Sequence, residues 1–124
     1  MDSLIVDATN LTPGVDFKNT GTLLLEGKSC PIDVNKFYAP ILKWIDSLKA
    51  KHVTFNINLE YINSASIKKI FLLLKHLDLN GKIEQIIVNW YYEEGDEDTF
   101  ETGQIMEEIL MRLQFNYCEY SEAA

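Results

Sequence analysis

The chain has 124 residues, 47% of them hydrophobic, and a formal net charge of −8 at pH 7. That length is typical of one domain with a single core, and the apolar fraction argues against a disordered chain. The negative charge argues against nucleic acid or an anionic membrane as partners, since both attract basic patches. No basic segment followed by an apolar one opens the chain, and its longest apolar run is residues 70–74. We therefore expect no signal peptide and no membrane span, and we predict one cytoplasmic domain over residues 1–124.

Residues that support catalysis or metal binding are sparse. Cys30 and Cys118 lack the spacing of a metal site, and we expect two buried free thiols rather than one disulfide. His52 and His76 fall at a strand start and on the polar side of a helix, and motif spacing places no nucleophile beside them. There is no Walker A loop and no GxGxxG segment. We expect a non-catalytic protein without a cofactor or a bound metal.

The N-terminal third predicts a β-hairpin. Residues 4–6 form either a short first strand or a loosely docked tail. Residues 15–17 and 23–26 are strand-like, and the four residues 18–21 between them are typical of a hairpin loop. Asp33 can then cap a first helix with one apolar face. Because Pro40 lies inside that helix, we expect a kink or a broken first turn.

From residue 52 onward, strands alternate with helices. The predicted elements are a strand at 52–59, a helix at 66–80, a strand at 83–92, a helix from about 98 to 113, and a strand at 115–120. Ile86-Ile87-Val88 is an apolar run expected for a strand covered on both faces. In the last helix, Ile105, Met106 and Ile109 are expected to point inward. The order β-β-α-β-α-β-α-β predicts an α/β fold, a mixed sheet with helices packed on it and the hairpin as its antiparallel part.

The junction at residues 60–66 joins a predicted strand to a helix and carries two hydroxyls, Ser64 and Ser66. Either serine can act as the N-cap of that helix. Lys68 and Lys69 then fall in the first turns, where cations oppose the helix dipole. A phosphate on Ser64 would reverse that cost, because it can accept backbone N–H bonds and pair with Lys68.

The segment at residues 93–101 carries six carboxylates. It could hold Mg²⁺ or Ca²⁺, but it does not fit the EF-hand pattern. We favour a solvated loop in which Asp98 and Glu101 form a capping box, an interpretation compatible with partner docking. Since this segment and Ser64 each follow a parallel strand, we expect them at the same carboxyl edge of the sheet.

The whole pattern resembles the SiaC family of bacterial regulatory phosphoproteins, whose fold is similar to the STAS domain of anti-sigma-factor antagonists. The resemblance covers nearly the whole chain and is strongest in two segments. The segments that support it are Thr12-Pro13, Gly27-Lys28-Ser29-Cys30-Pro31, Phe37-Tyr38-Ala39-Pro40-Ile41-Leu42-Lys43-Trp44, Leu59-Glu60-Tyr61-Ile62-Asn63-Ser64-Ala65-Ser66 and Trp90-Tyr91-Tyr92-Glu93-Glu94-Gly95-Asp96-Glu97-Asp98, the last two being specific in combination.

The resemblance implies a phosphorylation site. In the family, a threonine after tyrosine-x-asparagine is phosphorylated by a Ser/Thr kinase and restored by a PPM-type phosphatase; here that position is Ser64, with Ser66 as the alternative. The unphosphorylated family protein binds and activates a diguanylate cyclase, which implies a partner switch in cyclic di-GMP and biofilm control. The residues expected to contact the phosphate or a partner are Tyr61, Asn63, Lys68 and Lys69, and those of the acidic docking loop are Trp90, Tyr92, Glu93, Glu94, Asp96 and Asp98. The alternatives are a constitutive interaction domain in which Ser64 is only a cap, and a divalent-metal-binding protein that uses residues 93–98.

Overall fold

A six-stranded sheet with three helices forms most of residues 1–121, the part of the chain that the computed structural model describes. The elements in chain order are β1 Leu4–Val6, β2 Gly14–Phe17, β3 Thr22–Ser29, α1 Val34–Asp46, β4 His52–Ile62, α2 Ser64–Leu79, β5 Gln85–Glu93, α3 Glu97–Ile109 and β6 Leu113–Tyr120. The predicted order and fold class are confirmed, and Leu4–Val6, left open above, is a strand paired antiparallel with β2. Residues 122–124 of the predicted domain lie outside the described part.

The strands lie side by side in sequence order, from β1 to β6. The pairs among β1, β2 and β3 are antiparallel, and those from β3 to β6 are parallel. Each helical crossover thus moves one strand further in the same direction, and right-handed crossovers of that kind place all three helices on one face. The prediction that residues 86–88 are covered on both faces is therefore wrong. Ile86 and Val88 are buried, whereas Ile87 points to the open face and is half-buried.

The core lies between the helices and the covered face of the sheet, and the strand pattern follows from it. In β4, Phe55 and Ile57 are buried at 0% and 1% exposure, while the intervening Asn56 faces the open side. On that open side the Asn89 amide donates to Asn56 Oδ1 at 2.9 Å, and the Asn116 amide donates to Asn89 Oδ1 at 3.1 Å. These three asparagines are register partners on adjacent strands, so their side chains form a row of hydrogen bonds across the sheet.

Two helix predictions need correction. Asp33 caps α1 as expected, and the helix is continuous from Val34 to Asp46, so the broken first turn, one of the two effects expected of Pro40, is not found. α3 ends at Ile109 rather than near residue 113, because Leu110 adopts an extended conformation and leads into β6. Met106 is buried as predicted, but Ile105 and Ile109 are exposed.

None of the helices within residues 1–121 is long and apolar enough to cross a bilayer. Cys30 and Cys118 are free thiols, as predicted, but both are half-buried rather than buried.

Candidate functional site

The candidate site lies at the carboxyl edge of the parallel strands, where β3, β4 and β5 all end. β4 runs three residues further than predicted, because its last residue, Ile62, still pairs with Ser29 of β3. Only Asn63 separates β4 from α2, and its backbone N–H donates to the Ser29 carbonyl at 3.0 Å. The start of α2 is therefore held directly against the end of β3.

Asn63 is the N-cap of α2. Its backbone is extended, and its Oδ1 accepts a hydrogen bond from the backbone N–H of Ser66 at 2.8 Å. The first helical bond runs from Ile67 N–H to the Asn63 carbonyl at 3.0 Å. The hypothesis that Ser64 or Ser66 caps the helix is therefore wrong. Asn and Ser cap helices about equally well, so the end of strand pairing, and not residue type, decides which residue does so.

The two serines of the junction differ sharply in exposure. Ser64 is the first residue of α2 and is exposed, whereas Ser66 is buried at 0% exposure. The Ser29 hydroxyl donates to Ser66 Oγ at 2.8 Å and lies 2.6 Å from the Tyr38 hydroxyl. Because the single Ser29 proton is used on Ser66, the Tyr38 hydroxyl is the donor to Ser29. Burial raises the pKa of Tyr38, which keeps that donor protonated.

This buried cluster of three hydroxyls ties β3, α1 and α2 together behind the junction. Ser29 and Tyr38 are not among the site residues predicted from the sequence. One signal could have found them: Tyr38 lies on the apolar face of its helix, and a buried tyrosine hydroxyl needs a hydrogen-bond partner. The cluster leaves Ser64 on the surface while anchoring Ser66 beneath it.

The cationic side chains near Ser64 are unpaired in the described chain. Lys68 is exposed and Lys69 half-buried, and neither forms an ion pair with any of residues 1–121. With Asn63 as the cap, both lie in the second turn, and Lys68 is one turn from Ser64 on the same side of the helix. Tyr61 is 53% exposed at the end of β4. An exposed hydroxyl thus lies beside an available ammonium group at a helix N-terminus.

The acidic segment forms a tight turn into α3. Asp96 is the N-cap: its Oδ1 accepts from the Thr99 backbone N–H at 3.1 Å and its Oδ2 from the Thr99 hydroxyl at 2.7 Å. The predicted capping box of Asp98 and Glu101 is therefore wrong, since Asp98 is already inside the helix. Gly95, with φ of 88°, allows the turn that precedes the cap. Asp96 is used locally, which leaves the neighbouring carboxylates to face solvent.

Trp90 is not a docking residue. It is fully buried, and its indole N–H donates to the Thr99 carbonyl at 2.9 Å. Its position was readable from the strand period, because Trp90 is in phase with the buried Ile86 and Val88. This residue therefore holds α3 against the sheet, and its inclusion in the docking loop was wrong.

The other residues of the predicted docking loop lie at or near the surface. Glu94 and Asp98 are exposed, and Glu93 is half-buried. Tyr92 is half-buried; its hydroxyl donates to Glu119 Oε2 at 3.2 Å, and desolvation together with that carboxylate raises the pKa of Tyr92. No three acidic, histidine or cysteine side chains within residues 1–121 converge in a way that could hold a metal ion. The metal-binding alternative therefore has no support in the described chain.

Comparison with protein families identifies the family of the chain. A family model described as SiaC family regulatory phosphoprotein matches residues 6–120. No functionally curated protein matches the chain in sequence.

Three solved structures share the fold. SiaC of Pseudomonas aeruginosa superposes with a TM-score of 0.80 at 20% identity, covering 98% of this chain and 100% of that one. The apo form of SiaC from Pseudomonas aeruginosa gives a TM-score of 0.78 at 20% identity, over 95% and 99% of the two chains. A chain in the crystal structure of diguanylate cyclase SiaD in complex with its activator SiaC, also from Pseudomonas aeruginosa, gives a TM-score of 0.83 at 21% identity, over 94% and 99%.

Proposed function

Because the chain belongs to the SiaC family of regulatory phosphoproteins, we propose that it is a partner switch controlled by reversible phosphorylation of Ser64. The family is regulatory, so the chain is a regulator and not a catalyst. In this proposal a Ser/Thr kinase phosphorylates Ser64 and a PPM-type phosphatase removes the phosphate. The unphosphorylated form binds and regulates a diguanylate cyclase in the cytoplasm, and so controls cyclic di-GMP and biofilm formation.

The observation that carries the proposal is the difference in exposure between the two serines. A kinase must bring the acceptor hydroxyl to its own active site, which the exposed Ser64 permits. Ser66, at 0% exposure, would first have to leave its hydrogen bond with Ser29. The family position of the phosphorylated hydroxyl and the exposed hydroxyl of this chain therefore coincide at Ser64.

A phosphate on Ser64 would have clear physical consequences. It would add about two negative charges at the N-terminus of α2, where the dipole favours anions. The backbone N–H groups of Ser64 and Ala65 precede the first helical bond and have no acceptor within residues 1–121, so they can donate to the phosphate. Lys68, one turn along, can pair with it. The modified site would thus be ordered and strongly negative, and a difference of about 3 kcal/mol in target affinity would change binding more than a hundredfold.

The cyclase as target is supported by the matched relative. SiaC of Pseudomonas aeruginosa is named as the activator of diguanylate cyclase SiaD and is found in complex with it. The present chain shares that fold along nearly its whole length, and its acidic turn lies at the same edge as Ser64. A phosphate would therefore add to an edge that already carries Glu93, Glu94 and Asp98.

The competing hypothesis was a constitutive interaction domain in which Ser64 only caps a helix. That hypothesis assumed that Ser64 is the N-cap of α2, but the N-cap is Asn63. An interaction domain without phosphorylation remains an outcome of the test below.

Intact-mass spectrometry tests the site. The chain is incubated with ATP and the Ser/Thr kinase encoded nearest to it in its own genome, and we expect the addition of one phosphate. Ser64→Ala should abolish the addition, and Ser64→Thr should restore it. Ser47→Ala is the matched control: Ser47 is also exposed but follows α1 at the opposite edge, so its loss should change nothing. If Ser64→Ala still takes up phosphate as the wild type does, the assignment is wrong.

A second assay tests the target. The diguanylate cyclase encoded nearest to the chain is assayed for cyclic di-GMP production with the unphosphorylated and the phosphorylated protein. We expect stimulation by the first and at least a tenfold weaker effect of the second. Equal effects of the two forms would mean that the chain binds constitutively and is no switch.

A further inference from the structure

The helices α2 and α3 leave an open apolar groove between them. Both cross over between parallel strands on the same face of the sheet, so they run side by side in the same direction. α1 packs directly on α2, whereas the backbones of α2 and α3 scarcely approach each other. The groove has a volume of about 340 Å³ and is lined by Ile67, Lys68, Phe71, Thr102, Ile105, Met106 and Ile109.

Large apolar side chains that line this groove are exposed to solvent and are not part of the buried core. Ile105 is 59% exposed and Ile109 49% exposed, one turn apart on α3. Ile67 and Phe71, also one turn apart, are half-buried on the facing side of α2. Two pairs of large apolar side chains at this spacing form a strip that matches one face of a helix. Its lining offers only one hydroxyl and one ammonium group, few polar contacts for a small polar ligand.

The two rims of the groove have opposite charge. α3 contains five acidic residues and no basic one, and Asp98, Glu101 and Glu108 lie beside Ile105 at helical spacing. On α2, Lys68 and Lys75 lie beside Phe71 at the same spacing.

We propose that this groove, which we call the α2–α3 groove, docks one amphipathic helix of the protein that the chain regulates. The docked helix inserts apolar residues at i, i+3 or i+4, and i+7 between the two walls. It presents basic residues to the acidic rim of α3 and acidic residues to the lysines of α2. Ser64 lies one turn before Lys68 on the α2 side, so the groove is continuous with the site of the proposed phosphorylation. Only the identification of the partner as the regulated target rests on the proposed function.

The test uses two synthetic helical peptides of equal composition and zero net charge. Both have leucine at i, i+3, i+4 and i+7; one has its basic and acidic residues on opposite flanks, and in the other they alternate on both flanks. Binding to the intact chain is measured by fluorescence anisotropy and by ¹⁵N chemical-shift mapping. We expect the segregated peptide to bind at least tenfold more tightly, with shifts centred on Ile67, Phe71, Ile105 and Ile109. Equal binding of the two peptides, or shifts elsewhere, would overturn the proposal.

Ile105→Glu and Ile5→Glu form a matched pair of variants. Both residues are exposed isoleucines, at 59% and 62%, but Ile5 lies on the edge strand β1, away from the groove. Ile105→Glu should weaken peptide binding at least tenfold and Ile5→Glu should leave it unchanged, with circular dichroism confirming that both fold. An equal loss in both variants would show that the binding is not specific to the groove. A dimer in sedimentation that Ile105→Glu dissolves would show that a second copy, and not a partner helix, occupies it.

The cyclase assay separates this inference from the proposed function. If the cyclase responds to the wild type and to Ile105→Glu alike, the groove does not dock the regulated target, while the proposed function stands. If no cyclase responds to the wild type but the peptide results hold, the proposed target is wrong, while the helix-docking groove stands.

Discussion

Asn63→Ala offers the sharpest test of how the site is built. The change removes the side-chain oxygen that accepts the Ser66 backbone N–H at 2.8 Å. Loss of an N-cap side chain costs about 0.5–2 kcal/mol. The N–H left without a partner belongs to a fully buried residue, which places the cost in the upper part of that range. We expect the free energy of unfolding to fall by about 1.5 kcal/mol, and Tm by roughly 6 °C for a chain of this size.

Ser64→Ala and Asn63→Asp are the controls. The Ser64 hydroxyl is exposed and has no hydrogen bond within residues 1–121, so its removal should change stability by less than about 0.5 kcal/mol. Asn63→Asp keeps the acceptor and adds a negative charge at the helix N-terminus, so it should stabilise by about 0.5 kcal/mol. Urea unfolding followed by circular dichroism measures all three. If Ser64→Ala costs as much as Asn63→Ala, Ser64 is the cap and the reasoning is refuted.

The remaining predictions concern the packing that supports α3 and the far end of α2. Gly103→Ala places a methyl group 2.8 Å from the Trp90 ring. The overpacking costs about 1–3 kcal/mol and outweighs the gain in helix propensity of about 1 kcal/mol. Calorimetry should therefore show a lower Tm for this variant, and a higher Tm would contradict the prediction. In a Trp90→Phe background the same change should become less destabilising, a dependence that a double-mutant cycle measures. The Arg112 guanidinium donates hydrogen bonds to the carbonyls of Asp78, Asn80 and Ile83. Arg112→Ala should therefore lower the free energy of unfolding, measured by urea titration, by about 2 kcal/mol. A change below about 0.5 kcal/mol would show that these hydrogen bonds contribute little to stability.

Periodicity along the chain was enough to predict the elements and their order. Apolar residues alternate with polar ones in β4 and recur at helical spacing in α1 and α2, because one face of each element is buried. Such a pattern involves only residues close together in the chain, so it can be recognised from the sequence. The family resemblance likewise followed from local segments, and the family match over residues 6–120 confirms it.

Choices between neighbouring residues of similar chemistry could not be predicted. Asn63 and Ser64 are both good caps, as are Asp96 and Asp98, and local energies do not separate them. In the first case the pairing of Ile62 with Ser29 across the sheet fixes where β4 ends and therefore where α2 begins. In the second, the start of α3 follows from the turn after β5.

The strand–helix junction at residues 60–66, with its two serines, was determined by the sequence alone. Which serine faces solvent was decided only by the tertiary structure, because Ser66 is buried through contact with Ser29 and Tyr38, 37 and 28 residues earlier in the chain. The same holds for α3: its period allowed Ile105 to point inward, but the gap between α2 and α3 leaves it exposed. Exposure depends on what lies opposite a side chain, and in this fold the opposing residues come from distant parts of the chain.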